Sequence, residues 1–327
     1  MATVRARELY NEIAVDYSAI KTNPFKRWIE ETTFLNAIRH TNNGEDDPSI
    51  LDLGCGSGHF CRLLQEQGMA QTVYGIDVSD TMIADAKRIE AAAAGGPTLT
   101  TTRGVQYYRM DLLAKNVSFQ KILGNKTVDV CVSAYLLPYA ASLKELHQFC
   151  SAAAQALGPG GRFISVTTLL TPTMRRTATR GGVLESTTWG FSIVWDDKEQ
   201  NNPSNDDSNT TKNGNRREDA NGVLADATLF GNPARENADG VLALLADVTL
   251  FGNPARTQRV TFPNVFWSQD IITTMLQQCG FATVEWLPHT VDEQHAPADV
   301  VQDFRNINND DRSALAAVGY FVAIKAE

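Results

Sequence analysis

The sequence has no long apolar run, no basic cluster and no paired cysteines, and each absence removes a class of function. No stretch approaches the ~18–20 apolar residues that cross a bilayer. The N-terminal segment carries Arg5, Arg7 and Glu8 rather than an apolar signal core, so a soluble, cytoplasmic chain with no membrane association is expected. Asp and Glu total 38 against 29 Lys and Arg, giving a formal net charge of −9. Basic residues cluster no further than the pairs Arg175-Arg176 and Arg216-Arg217. Sequence-independent nucleic-acid binding rests on neutralising phosphates, so no nucleic-acid partner is expected. The five cysteines (Cys55, Cys61, Cys131, Cys150, Cys279) form no CxxC pair, which argues against a disulfide frame or a zinc site and for a reducing compartment. His40, His59, His147, His289 and His295 are scattered, with no HxxxH and no acid cluster beside them, so no metal is expected. His289 and His295 read as loop histidines rather than as a base.

What is present is an ordinary globular composition, 43% hydrophobic and 20% charged over 327 residues. Apolar residues recur at helical spacing over 4–20 and 25–38, with Pro24 marking the break. These two helices either cover a sheet face or form a lid with Tyr10, Tyr17 and Phe25 turned inward. From Ile50 strand and helix patterns alternate. Strands are expected at 50–53, 73–77, 105–109, 128–133 and 162–168, with Ser79 capping one helix and a further helix over 142–157. A helix from Ser268 to Gln278 and strands at Phe281–Leu287 and Gly319–Ala326 complete the pattern. Short apolar strands alternating with helices imply an α/β fold with a mostly parallel sheet covered on both faces.

Residues 170–266 break that rhythm. The polar stretch 198–221 has no apolar pattern and is expected to be a disordered surface insertion. After it, Leu224–Arg235 recurs as Leu245–Arg256 with one substitution, within a duplicated segment 222–256. Each copy reads as a strand ended by a Gly-Asn-Pro turn, and two copies are too few for a solenoid. One copy is expected in a hairpin of the parent fold and the other to be dispensable. The chain thus divides into a helical cover (1–45), a ligand-binding core (46–169), a small β-rich insertion (170–266) and a return to the core sheet (267–327).

The chemistry concentrates where the first strand ends. Ser49-Ile-Leu-Asp-Leu-Gly-Cys-Gly-Ser-Gly58 is a strand running through a tight loop into a helix. Its alternate glycines let a ligand approach bare backbone at a helix N-terminus, with Asp52 beside it. The dinucleotide pattern GxGxxG is not met, since Gly54, Gly56 and Gly58 run as GxGxG, and no Gly-Lys-Ser/Thr follows. Asp77 closes the second strand, where an acid accepts hydrogen bonds from ribose. Asp111 follows the third, where an acid can face an adenine amine between Met110 and Leu112.

Together LDLGCGSG, GIDVS, MDL, VDVCVSAYLLPY and LGPGGRF, in order over roughly 50–168, resemble class I S-adenosylmethionine-dependent methyltransferases. YNEIAVDY, TNPF and AYLLPYA are similar to the small-molecule group that includes toxoflavin-synthase-type enzymes. The resemblance implies a Rossmann-like seven-stranded sheet whose last strand is antiparallel, with S-adenosylmethionine as co-substrate. It implies that Gly54, Cys55, Gly56 and Gly58 pass under the methionine and ribose portions and that Asp52 lies near the amino group. Asp77 would hold the ribose with Val78 beside the adenine, and Asp111 and Leu112 the adenine itself. Ser133 and Tyr17 would border the cofactor, while Asp129, opening the fourth strand, reads as structural. Methyl transfer from a sulfonium is mainly a matter of alignment, so no catalytic residue stands out beyond Tyr135 and Tyr139. The acceptor-facing candidates are Tyr135, Tyr139, Phe25 and Trp189, with Trp267 also in a cover segment. The expected activity is methyl transfer to a small-molecule N or O, with S a further option. The rivals are an NAD(P)-dependent oxidoreductase and a non-catalytic S-adenosylmethionine-binding protein.

Overall fold

The computed structural model describes residues 24–41, 48–93, 104–178, 180, 182–186, 191–195, 234–237, 240–251, 259–307 and 314–327. The expected helix over 4–20, with Tyr10 and Tyr17, lies outside them, as do the stretch 198–221 and Trp189.

Seven strands form the main sheet: β1 (Ser49–Leu53), β2 (Thr72–Asp77), β3 (Val105–Arg109), β4 (Val128–Ala134), β5 (Leu157–Thr168), β11 (Phe281–Leu287) and β12 (Val318–Lys325). Their order is β11-β12-β5-β4-β1-β2-β3. Strands β1 to β5 pair in parallel, while β12 runs antiparallel to both β5 and β11. The sheet therefore has the expected topology. β5 begins five residues before the expected Arg162, because Leu157 already pairs with Val128 ahead of a register shift across the glycine turn.

Alternate strand residues feed two cores, as a sheet covered on both faces requires. Ile50, Val130, Ile164 and Val322 face one side with α2 (His59–Glu66), α3 (Asp80–Ala93) and α1 (Glu31–Thr41), the last entered through a π-helical turn Lys26–Glu30. Leu51, Cys131, Phe163 and Phe321 face the other, against α5 (Leu143–Ala156) and α7 (Gln269–Gln278). Short helices α4 (Gln120–Leu123) and α6 (Pro172–Arg176) link strands, and α8 (Ala298–Ile307) adds Val300 and Phe304 to the first core. The starts of four helices are hydroxyl-capped among the described residues: Ser79 Oγ accepts from Met82 N, Ser142 from Glu145 N, Thr171 from Met174 N and Ser268 from Ile271 N. Asp129 is structural, accepting from Ser49 N and Oγ at 2.7 Å each and so tying β4 to β1.

The β-rich stretch forms a second, antiparallel sheet of order β10-β9-β7-β6, with β8 also paired to β9. Its strands are β6 (Gly182–Ser186), β7 (Phe191–Trp195), β8 (Ala234–Asn237), β9 (Gly240–Phe251) and β10 (Arg259–Trp267). The second repeat copy runs through β9, which is flanked on both edges. Of the first copy only Ala234 and Arg235, in β8, are among the described residues. Leu184, Ile193, Trp195, Leu244 and Phe266 join the first core. Trp267 bridges to Leu169 and is 1% exposed, a core residue rather than an acceptor-facing one.

Candidate functional site

Sheet order decides where a ligand can sit. The chain runs from β1 outward to β3, then returns to β4 on the opposite side of β1, which opens a crevice beyond the carboxyl ends of these strands. A cleft of about 1130 Å³, its open mouth included, lies there.

One bank of the cleft is backbone. Gly54 N and Cys55 N both donate to Ile76 O, at 2.8 and 2.9 Å, which folds the loop back over β2. Gly54, Gly56 and Gly58 all take left-handed φ values, of 78°, 53° and 77°. A Cβ on Gly56 would meet nothing within 4 Å and would stand in the cleft, whereas one on Gly58 would strike the Tyr107 hydroxyl. Gly56 thus keeps the cleft open, and Gly58 keeps the loop seated.

Carboxylates hold this bank. Asp77 Oδ2 accepts from Gly56 N at 2.9 Å and Oδ1 from Ser79 N at 2.8 Å. Burial raises its pKa above the ordinary value, against these backbone donors. Asp111 Oδ1 accepts from Leu113 N at 2.9 Å, and buried Asp52 accepts from Cys61 Sγ at 3.2 Å. Ile76, Val78, Met110, Leu112 and Leu113 supply the apolar lining between them.

The opposite bank is made of side chains. Tyr135 and Tyr139 line it with Phe60 and Phe149, joined by Lys26 and Glu30 from the π-helical turn. Tyr135 Oη donates to Glu30 Oε2 at 2.6 Å, and Lys26 Nζ lies 3.1 Å from Glu30 Oε1. His59 faces the cleft with its Nε2 2.8 Å from Glu31 Oε1. The lining carries Glu30, Asp52, Asp77 and Asp111 against Lys26 and His59, a balance that favours a ligand bearing positive charge.

Of the residues expected at the site, Asp52, Gly54, Cys55, Gly56, Asp77, Val78, Asp111, Leu112, Tyr135 and Tyr139 share this cleft. Gly58 acts from behind it, through Tyr107. Ser133 does not line it: strand alternation turns its hydroxyl to Ser165 Oγ, at 2.8 Å, inside the sheet. Phe25 is 2% exposed and packs in the first core, so its aromatic wall faces apolar neighbours and not the cleft. Tyr17 and Trp189 fall outside the described residues. His289 is half-buried with Nε2 3.1 Å from Leu315 O, and His295 pairs with Asp292 on the surface; neither lines the cleft. Lys26, Glu30 and Glu31 were not singled out by sequence. Their signal is faint, since charged residues on an amphipathic helix ordinarily face water.

The donor set fits S-adenosylmethionine, in that Gly56 leaves the space a side chain would fill and acids stand at the ends of β1, β2 and β3. Among the described residues no group of three or more His, Cys, Asp or Glu side chains is placed to hold a metal, and no helix is long and apolar enough to cross a membrane. Residues 50–161 match a family model described as a methyltransferase domain. No curated protein matches the chain by sequence. Among solved structures, an S-adenosylmethionine-dependent methyltransferase from Clostridium acetobutylicum is 12% identical, with 97% of this chain and 99% of that one covered and a TM-score of 0.50. A structure of the Haloferax volcanii Trm112 methyltransferase activator in complex with a methyltransferase gives 13% identity, 98% and 97% coverage, and a TM-score of 0.51. The S-adenosylmethionine-bound amino pentose methyltransferase CalS10 from Micromonospora echinaspora gives 14%, 91% and 90%, and 0.45.

Proposed function

We propose that this chain is a class I S-adenosylmethionine-dependent methyltransferase, and that its methyl acceptor is a small molecule, modified on N or O with S as a further option. The observation that carries the reading is the single cleft in which the glycine loop, Asp77 and Asp111 face Tyr135 and Tyr139. A concave site with aromatic and aliphatic walls and a few placed polar groups is the usual form of a small-molecule pocket.

S-adenosylmethionine supplies, when bound, a methyl group already activated by the positive charge on sulfur. The chain's own task is to bind and align. In this reading Gly54, Cys55 and Gly56 run beneath the methionine and ribose portions, and Gly58 holds that loop in shape. Asp52 meets the amino group. Asp77 keeps two oxygens on Gly56 N and Ser79 N, and its remaining lone pairs reach the ribose hydroxyls. Val78 and Leu112 contact the adenine and Asp111 its amine. Tyr135 and Tyr139 orient the acceptor by proximity.

The division into cover (1–45), cofactor core (46–169), insertion (170–266) and returning sheet (267–327) belongs to the same proposal. So does a cytoplasmic location, which the five free cysteines, four of them buried, support. Calorimetric titration with S-adenosylmethionine is the direct test: micromolar binding that Asp77→Ala abolishes is expected, and no binding to well-folded protein would remove the proposal. Nicotinamide-fluorescence titration, expected to show nothing, separates it from an oxidoreductase.

A further inference from the structure

On the side-chain bank of the cleft three unusual features meet at one carboxylate. Lys26–Glu30 is π-helical, a conformation that is rare and concentrates at functional sites. Tyr135 is the one non-glycine residue with left-handed backbone among those described, with φ 61°, a strain that persists only where the surroundings enforce it. Lys26 and Glu30 form an ion pair with side chains 11% and 3% exposed, a placement that apolar packing would match or better for stability alone.

The three features interlock. Lys26 Nζ donates to Glu30 Oε1 at 3.1 Å and Oε2 at 3.3 Å and stands 5.0 Å from the Tyr135 ring centroid. Tyr135 Oη donates to Glu30 Oε2 at 2.6 Å, a length typical of a hydroxyl bound to a charged acceptor. Tyr320 of β12 lies near enough to feel the Glu30 charge, which adds to burial in raising its phenol above the ordinary value. A carboxylate only accepts hydrogen bonds, so the Tyr135 proton lies toward Glu30. What Tyr135 offers a ligand in the cleft is then an oxygen lone pair.

We propose that Tyr135 takes the proton of the methyl acceptor while passing its own to Glu30, and that the acceptor is therefore an N–H or O–H group. This rests on the methyltransferase reading above. The acceptor's N–H or O–H proton moves to Tyr135 Oη, and the phenol proton moves to Glu30 Oε2. The acceptor's electron pair forms the bond to the methyl carbon, and the pair of the broken carbon–sulfur bond stays on sulfur. Tyr135 is the catalytic residue; Glu30 and Lys26 are positioning residues, Lys26 holding the carboxylate that orients the phenol. Acceptors without a proton to lose, such as thioethers and tertiary amines, do not use this arrangement.

The test uses the full chain, radiolabelled S-adenosylmethionine, and a panel of primary and secondary amines and phenols set against tertiary amines and thioethers of the same shape. Methylation confined to the N–H and O–H members is expected. Tyr135→Phe and Glu30→Gln are each expected to lower kcat by about 100-fold or more, the range of general base catalysis, with S-adenosylmethionine affinity within about threefold of the parent. Glu30→Asp, which keeps a carboxylate, is expected to recover part of the rate that Glu30→Gln loses. Without turnover, infrared difference spectra read the carboxylate stretch removed by Glu30→Gln, which shifts in Tyr135→Phe. Methylation of proton-free members alone, no methylation of any panel member by protein that binds the donor, near-parental kcat in both variants, or an unshifted stretch overturns the relay. Failure of the folded parent to bind the donor instead overturns the methyltransferase reading.

Discussion

The two banks of the cleft are built from different material. The glycine bank is main chain: alternate residues without side chains, their amides turned by Ile76 O and Asp77, all drawn from one continuous stretch between Asp52 and Leu113. The opposite bank is side chain, and its key contact, Glu30 to Tyr135, joins residues 105 positions apart. Backbone amides offer few positions at which a substitution adjusts a contact without blocking it, so a bank of that kind suits a ligand that does not change. A bank of side chains can be altered one residue at a time, which suits the variable partner of a transfer reaction.

The largest effect that would test this contrast is Gly56→Arg. A Cβ there meets no neighbour and costs about 1 kcal/mol in the left-handed φ of 53°, so the protein is expected to fold, less stably, while the side chain fills the cleft and weakens S-adenosylmethionine binding by about 100-fold or more. Unchanged affinity by calorimetry would erase the distinction between the banks. Next comes Gly58→Ala, expected to cost about 2 kcal/mol in urea denaturation, from a left-handed φ of 77° and contact with the Tyr107 hydroxyl. An unaltered midpoint would mean that the glycine loop is not under steric constraint.

A comparable but pH-dependent effect is expected behind the side-chain bank, where His289 meets Tyr320 edge-on at 5.2 Å. Burial holds the His289 pKa down at about 4, from 6.5. Between those values the unfolded chain binds a proton that the folded chain refuses, so stability falls as pH drops through that window. About 2 kcal/mol should be lost from pH 7 to pH 5. His289→Gln should flatten that part of the profile, and an equal slope in both proteins would assign the loss elsewhere. The smallest effect is thiol chemistry. Cys55 lines the glycine bank, yet burial pushes its pKa up to about 11, so alkylation at pH 8 should be slow until unfolding. Rapid labelling that S-adenosylmethionine prevents would show the glycine bank to be the looser one.

What could be read from sequence follows the same division. The glycine spacing, the acids at strand ends and the strand–helix alternation are local signals, and they located the sheet and the residues that share the glycine bank. Tyr135 and Tyr139 were within reach because they follow β4 directly. Glu30 was not: a charged residue on an amphipathic helix ordinarily faces water, and the Tyr135 that draws it to the cleft lies 105 positions away. Phe25 went to the core and Ser133 to Ser165 because a one-residue step decides which face a side chain meets. The second sheet was legible as β-rich, but the pairing of β9 with β7 joins residues 53 to 59 positions apart (247 − 194, 250 − 191) and leaves no sequence signature.

That second sheet also bears on how the chain reaches its fold. β11 touches the main sheet only through β12, so it must wait for residues 318–325 to pair with β5. Thr168 and its partner Val318 are 150 positions apart (318 − 168), a long loop to close. The Leu169–Trp267 bridge, with Leu170 N donating to Trp267 O at 3.0 Å, brings the two ends of residues 170–266 together. Once it has formed, the loop left to close spans 51 positions (318 − 267), which removes about 1 kcal/mol of closure entropy from the step that completes the sheet. The bridge thus offsets the length that residues 170–266 add to the search for β12, and damage to β9 or β10 should register first as slower refolding.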